Sequence, residues 1–153
     1  ALNALLGAIK KFKADYRVIP WCTFTDPEVA RVGLNEQEAK ERNIPHEITI
    51  YGIDDLDRAI ADGDDEGFVK LLTVPGSDKI LGVTIVGPHA GDLIGEFTFA
   101  MKHGLGVKKI FGTIHIYPTL AEANRYVAGA WQRRTKPEGA LRMLEKFHGW
   151  MRG

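Results

Sequence analysis

Gly67-Phe-Val-Lys-Leu-Leu-Thr-Val74 and Lys79-Ile-Leu-Gly-Val-Thr-Ile-Val86 stand on either side of Pro75-Gly-Ser-Asp78. Both runs are rich in aliphatic and β-branched residues, which suit a pleated surface. The four residues between them carry turn chemistry: proline fixes φ, and glycine tolerates positive φ. The stretch therefore predicts a β-hairpin. On its N-terminal side the chain reads as shorter strands. Residues 16–25 are aromatic and β-branched, with Pro20 confining them to a sheet edge or a bend. Asp26-Pro27 signals a turn. Residues 28–33 alternate, with Val29 and Val32 as candidate core side chains. Asn35 followed by Glu38 is a capping-box pattern that opens a helix over residues 36–43. Residues 46–51 set Ile48 and Ile50 against polar neighbours, the pattern of a half-buried strand. Residues 54–62 are acidic, with one or two helical turns, and Gly63 opens a loop.

On its C-terminal side the chain turns helical. Residues 90–103 predict a helix whose apolar face holds Leu93, Ile94, Phe97, Phe99, Ala100 and Met101, stopped by Gly104. Residues 107–112 predict a short turn of helix. Residues 114–117 are brief and extended. Pro118 then suits the first turn of a helix running to about residue 133. Strands, a hairpin and then helices make an α+β arrangement: a mainly antiparallel sheet with helices packed on one face. Residues 16–130 form this domain. Residues 1–15, with Leu2, Leu5, Leu6, Ile9 and Phe12 at helical spacing, read as the end of a preceding segment. Residues 131–153 read as a helical extension with Leu141, Leu144, Phe147 and Met151 on one stripe.

Composition narrows the function. The 153 residues include 20 Lys plus Arg and 20 Asp plus Glu, so formal net charge is zero, which argues against a general nucleic-acid binder. One cysteine allows no internal disulfide and no cysteine-based zinc site. Cys22, beside Trp21, reads as a small hydrophobe. No pair among His46, His89, His103, His115 and His148 has the helical spacing of a zinc hydrolase, and we take none as a metal ligand. No Gly-x-Gly-x-x-Gly follows a strand, so a dinucleotide-binding fold is not supported. The apolar runs are too short to span a bilayer, no signal-peptide pattern is visible, and a cytoplasmic location is expected. The acids of residues 54–65 and bases such as Arg133, Arg134 and Lys136 read as solvated faces. A sharper reading has those bases meet an acidic protein or, less favoured, a membrane surface.

The segment with chemistry in it is Thr113-Ile-His-Ile-Tyr-Pro-Thr-Leu-Ala-Glu122. Extended backbone ahead of a helix leaves carbonyls able to meet a ligand. Glu122 falls in the first helical turn, where the helix dipole favours a carboxylate.

Taken together, these motifs resemble the C-terminal dimerisation domain of the pyridine nucleotide–disulfide oxidoreductases, the family of dihydrolipoamide dehydrogenase, glutathione reductase and mercuric reductase. The resemblance runs from Pro20-Trp-Cys-Thr-Phe-Thr-Asp-Pro-Glu-Val-Ala-Arg-Val-Gly-Leu34 through Asp57-Arg-Ala59, Gly67-Phe-Val-Lys-Leu71, the second hairpin strand, Ala90, Ile94 and Glu96. It ends at Tyr117-Pro-Thr-Leu-Ala-Glu122. It implies a homodimer with FAD- and NAD(P)-binding domains upstream in the same polypeptide, and no cofactor bound by this fragment alone. One subunit's domain lends the proline-containing segment, here Tyr117 and Pro118, to the partner's FAD and redox-disulfide site. In the thiol–disulfide members a histidine precedes the proline as acid–base, and a glutamate five residues later orients it. Glu122 matches that glutamate. Tyr117 stands where the histidine would be, which resembles the mercuric reductase branch, although the cysteine pair near that branch's C-terminus is missing. His115 matches a different histidine of the motif. Tyrosine, with a usual pKa near 10, is a poor proton shuttle near neutrality. The alternative is a free-standing interaction module on the same fold. Self-association is expected through the last helices and the hairpin.

Overall fold

The computed structural model describes Tyr16, residues 18–135, His148 and Met151. The apolar patterns read over residues 1–15 and at Leu141, Leu144 and Phe147 lie outside the described residues. Five antiparallel strands form one sheet, in the order β1-β2-β5-β4-β3. They are β1 Pro20–Thr23, β2 Glu28–Gly33, β3 Glu47–Gly52, β4 Phe68–Thr73 and β5 Ile80–Gly87. The helices are α1 Glu36–Glu41, α2 Asp57–Asp62, α3 Ala90–Lys102, α4 Val107–Phe111 and α5 Glu122–Thr135.

The hairpin forms as its sequence predicts. Leu71 pairs with Val83 and Val69 with Ile85, with a register shift between Leu72 and Thr73. Val74 N–H donates to Lys79 O across the turn at 3.0 Å. β5 is the central strand, flanked by β2 and β4. Gly82 allows its closest contact: a Cβ there would stand 2.0 Å from Leu34 O. Pro20 begins the edge strand β1, where a missing N–H is tolerated.

One sheet face carries the core. Ala30, Val32, Val69, Leu71, Val83 and Ile85 are each at most 1% exposed. Against them lie Ile94, Phe97 and Ala100 of α3 and Ala123, Val127 and Ala128 of α5. Burial of each large side chain contributes about 1.5–3 kcal/mol. α1 differs from the other helices in its attachment. Ion pairs from Glu36 to Lys70 and from Glu38 to Arg31, at 2.9 and 2.8 Å, tie it to the opposite face. Its capping box is complete: Glu38 N–H donates to Asn35 Oδ1 at 2.7 Å, and Asn35 N–H donates to Glu38 Oε2 at 3.1 Å.

Four expectations change. In β3 the alternation is present but its phase is reversed: Thr49 is buried, Tyr51 packs on the core, and Ile50 is 55% exposed. In β2 the inward residues are Ala30 and Val32, two apart, so Val29 falls on the other face. In α3, Phe97 is buried but Phe99 is 61% exposed, because two residues along a helix turn by about 200°. Pro118 is not in the first turn of α5, which begins at Glu122. A short run of i→i+3 bonds, from Glu122 N to Thr119 O through Asn124 N to Ala121 O, leads into the helix.

Candidate active-site segment

Residues 113–121 cross from α4 to α5 without regular structure and carry a cluster of exposed apolar side chains, among them Ile114, the most exposed large hydrophobic of the described residues. Ile114 is 96% exposed, Ile116 79% and Tyr117 65%. The Tyr117–Pro118 peptide is cis. Such exposure in a loop requires anchors, and three are present.

The first is His115, whose imidazole turns inward between the exposed isoleucines. Its Nε2 lies 3.1 Å from both carboxylate oxygens of Glu96 on α3, and its Nδ1 lies 3.1 Å from Thr113 O. Asn124 Nδ2 donates to Glu96 Oε2 at 2.9 Å and to Leu93 O at 3.0 Å. Glu96 thus joins α3, α5 and the loop. The second anchor is Glu122, 5% exposed, which accepts from Thr119 N–H at 3.2 Å. Thr119 Oγ1 in turn donates to Ile116 O at 2.6 Å, so that carbonyl is not left open to a ligand. The third is Asp57, the first residue of α2, whose Oδ2 accepts from the Tyr117 hydroxyl at 2.7 Å.

The predicted residues therefore come together, with their contacts redistributed. Tyr117, Pro118 and Glu122 share one turn, but Glu122 bonds the backbone at Thr119, and it is Asp57 that bonds the phenol. The Asp57 hydrogen bond, followed by its charge, pushes the Tyr117 phenol above its ordinary pKa of 10.0. Asp55 of the same acidic segment accepts from Tyr51 OH at 2.6 Å, and burial of Tyr51 is the leading cause of that phenol's raised pKa. The acids of residues 54–57 are solvent-exposed, as read, and two of them, Asp55 and Asp57, also supply acceptors to tyrosines. Asp57 and Glu96 both occur within the motifs of the family resemblance. Neither partnership has a signal in spacing, since the pairs stand 60 and 19 residues apart.

The remaining candidates have structural places. Cys22 is half-buried with Sγ 3.9 Å from Glu28 Oε2, and desolvation first, then Glu28, raises its thiol pKa, the opposite of a reactive cysteine. Glu28 also accepts from Gly91 N–H at 3.0 Å, fixing the start of α3. Arg134 donates to Ile48 O and pairs with Glu47 at 3.0 Å, tying α5 to β3; Lys136 lies outside the described residues. Among the described residues no group of three or more His, Cys, Asp or Glu is placed to hold a metal, and no helix is long and apolar enough to cross a membrane.

Residues 19–128 match the sequence model of the family described as pyridine nucleotide-disulphide oxidoreductase, dimerisation domain. The chain belongs to this family. It is similar to the dihydrolipoyl dehydrogenase of Chlamydia pneumoniae, with 41% identity over 108 residues, covering 71% of this chain and 23% of that protein. It is similar to the dihydrolipoamide dehydrogenase of Chaetomium thermophilum, with 42% identity over 116 residues, covering 76% and 23%. The chain therefore spans about a quarter of the length of the curated relatives it matches. Among solved structures, the HOCl-induced flavoprotein disulfide reductase RclA from Escherichia coli superposes with a TM-score of 0.76 at 22% identity, covering 84% of this chain and 29% of that one. LpdA from Mycobacterium tuberculosis superposes with a TM-score of 0.74 at 23% identity, covering 88% and 29%. These likenesses support the α+β fold of a disulfide-reductase dimerisation domain.

Proposed function

We infer that this domain acts within a homodimeric FAD- and NAD(P)H-dependent disulfide oxidoreductase and lends its Tyr117–Pro118 segment to the partner subunit's flavin and disulfide site. The observation that carries the reading is an outward apolar edge, Ile114, Ile116 and Tyr117, held by polar anchors at His115, Asp57 and Glu122. Ordering exposed apolar side chains this way has no benefit to an isolated domain; it suits a surface completed by another. Among the described residues Phe99 of α3 adds to the exposed apolar set, whereas the hairpin strands contain no large exposed hydrophobic side chain. The contact we infer is therefore on α3 and the loop rather than on the hairpin.

The fit to FAD is that of one wall. Ile114, Ile116 and Tyr117 form an edge rather than an enclosure, so Tyr117 and Pro118 can meet a flavin whose cradle lies in other domains. FAD, when bound, supplies the electron relay between nicotinamide and disulfide. The protein's part here is to orient and cover. The Tyr117 hydroxyl donates a hydrogen bond to Asp57 and Glu122 accepts from Thr119 N–H, so the paired acid–base of thiol–disulfide members has no equivalent at these positions. Tyr117 in place of the histidine is the feature that supports a mercuric-reductase-like reading, whereas the curated relatives named above are dihydrolipoyl and dihydrolipoamide dehydrogenases, so the acceptor is to be identified by assay.

Hybrid dimers test the reading. One full-length subunit carries Tyr117→Ala; the other keeps Tyr117 but has its redox cysteines replaced. Each homodimer should be inactive, and the mixed dimer should regain activity, because the intact tyrosine then serves the intact disulfide across the interface. A mixed dimer as inactive as its parents would overturn the inference.

A further inference from the structure

We propose that Asp57 is the positioning residue for Tyr117, fixing the exposed phenol in one orientation at the edge of the domain, with its single O–H directed to the carboxylate. This rests on the reading that Tyr117 belongs to the flavin site. A phenol that is 65% exposed would ordinarily share its hydroxyl with water and sample several rotamers. Here the hydroxyl is 2.7 Å from Asp57 Oδ2, within the range of charge-assisted hydrogen bonds. The partner is built in, because Asp57 opens α2, whose N-cap, Leu56, makes no side-chain cap bond. Its position is set by the strand β3 before it and the αL cap Gly63 after it.

The groups acting on the phenol are Asp57 from α2 and Glu122 and Tyr126 from α5, and all three oppose its ionisation. Glu122 acts from a distance, its carboxylate being bonded at Thr119. The pair therefore does two things at once. It raises the pKa of a phenol that is already protonated in the neutral range, and it aims the ring rather than leaving it to rotate. A ligand reaching this edge meets a fixed, neutral phenol whose hydrogen is committed to the adjoining carboxylate. The glutamate five residues on, which the family pattern assigns to orientation, holds the backbone instead, and the aiming function sits sixty residues earlier.

The test is a phenolate-absorbance titration of this chain, with the signal of Tyr117 isolated by subtracting Tyr117→Phe. The wild-type midpoint should lie above that of free tyrosine. Asp57→Asn, which keeps an acceptor but loses the charge, should lower it, and Asp57→Ala should lower it further. Asp57→Glu should restore it in part. Asp57 could instead serve merely as a favourable charge at the start of α2. In that case Asp57→Asn would reduce stability and leave the Tyr117 midpoint unmoved, and the proposal would fall. The outcome is independent of the hybrid dimers. A shifted midpoint with inactive hybrids sinks the functional reading alone; an unmoved midpoint with restored hybrids sinks the Asp57 assignment alone.

Discussion

His115 and Glu96 face each other across the loop–helix boundary, with the imidazole Nε2 equidistant from the two carboxylate oxygens at 3.1 Å. The histidine side chain is 7% exposed, while its neighbours Ile114 and Ile116 point outward. One inward polar side chain therefore sets the path of the outward segment. Glu96→Ala removes an acceptor from both His115 and Asn124, and each buried group left unpaired costs about 1–3 kcal/mol. Urea unfolding should show a destabilisation of that order. Amide exchange should quicken at residues 114–117 more than in β5. Uniform quickening, with no excess in the loop, would mean the pair supports the fold without holding the segment.

Acid should loosen the opposite face of the sheet first. Hydrogen bonds from Lys40, and then Lys70, lower Glu36 from 4.5 to about 2. A carboxylate lowered on folding stabilises the protein above its unfolded value, and that contribution is lost as pH falls through the folded value. The stabilisation is therefore full above about pH 5 and disappears progressively between pH 4.5 and about 2. Glu36→Gln should be less stable than wild type at neutral pH and converge with it near the acid end of that window. The difference in urea midpoint measured across pH checks this. A constant gap would show that Glu36 works by packing.

What could be read from sequence divides by range. The hairpin and the capping box are local: turn residues lie between their strands, and Asn35 and Glu38 are three apart. Periodicity gave β3 its type without its phase, because alternation alone does not say which side is inward. The inward side is taken by Thr49 and Tyr51, whose ring meets Tyr126 of α5 at 5.4 Å. The site divides likewise. Tyr117, Pro118 and Glu122 lie in one short motif, whereas their fixation depends on Asp57 and Glu96, brought up by α2 and α3.

The reversal at α3 makes a sharp comparison. Phe97 is fully buried, and Phe99 is exposed with its ring 4.5 Å from that of His103. Phe97→Ala should cost about 3–5 kcal/mol, as large-to-small changes in a packed core do. Phe99→Ala, at the surface, should stay within about 0.5 kcal/mol. Thermal and urea unfolding of the two variants in parallel would decide. Comparable losses would mean that Phe99 is covered in solution.

That covering is itself testable. Ile114, Ile116 and Phe99 are large apolar side chains that stay mostly exposed within the chain, and desolvating them against a second copy would stabilise association by roughly 25 cal/mol per Å² of apolar surface. A charge at the same place makes that burial unfavourable while leaving the folded monomer untouched, since an exposed side chain has no core contacts to lose. Ile114→Asp should therefore shift sedimentation toward monomer with an unchanged unfolding midpoint measured at low protein concentration. Ile50→Asp, a half-exposed isoleucine on β3 on the sheet face opposite the core helices, serves as the control and should leave association as it is. If Ile50→Asp dissociated the assembly and Ile114→Asp did not, the interface would belong to the outer face of the sheet, and the loop would have to be ordered for contact with a ligand rather than with another subunit.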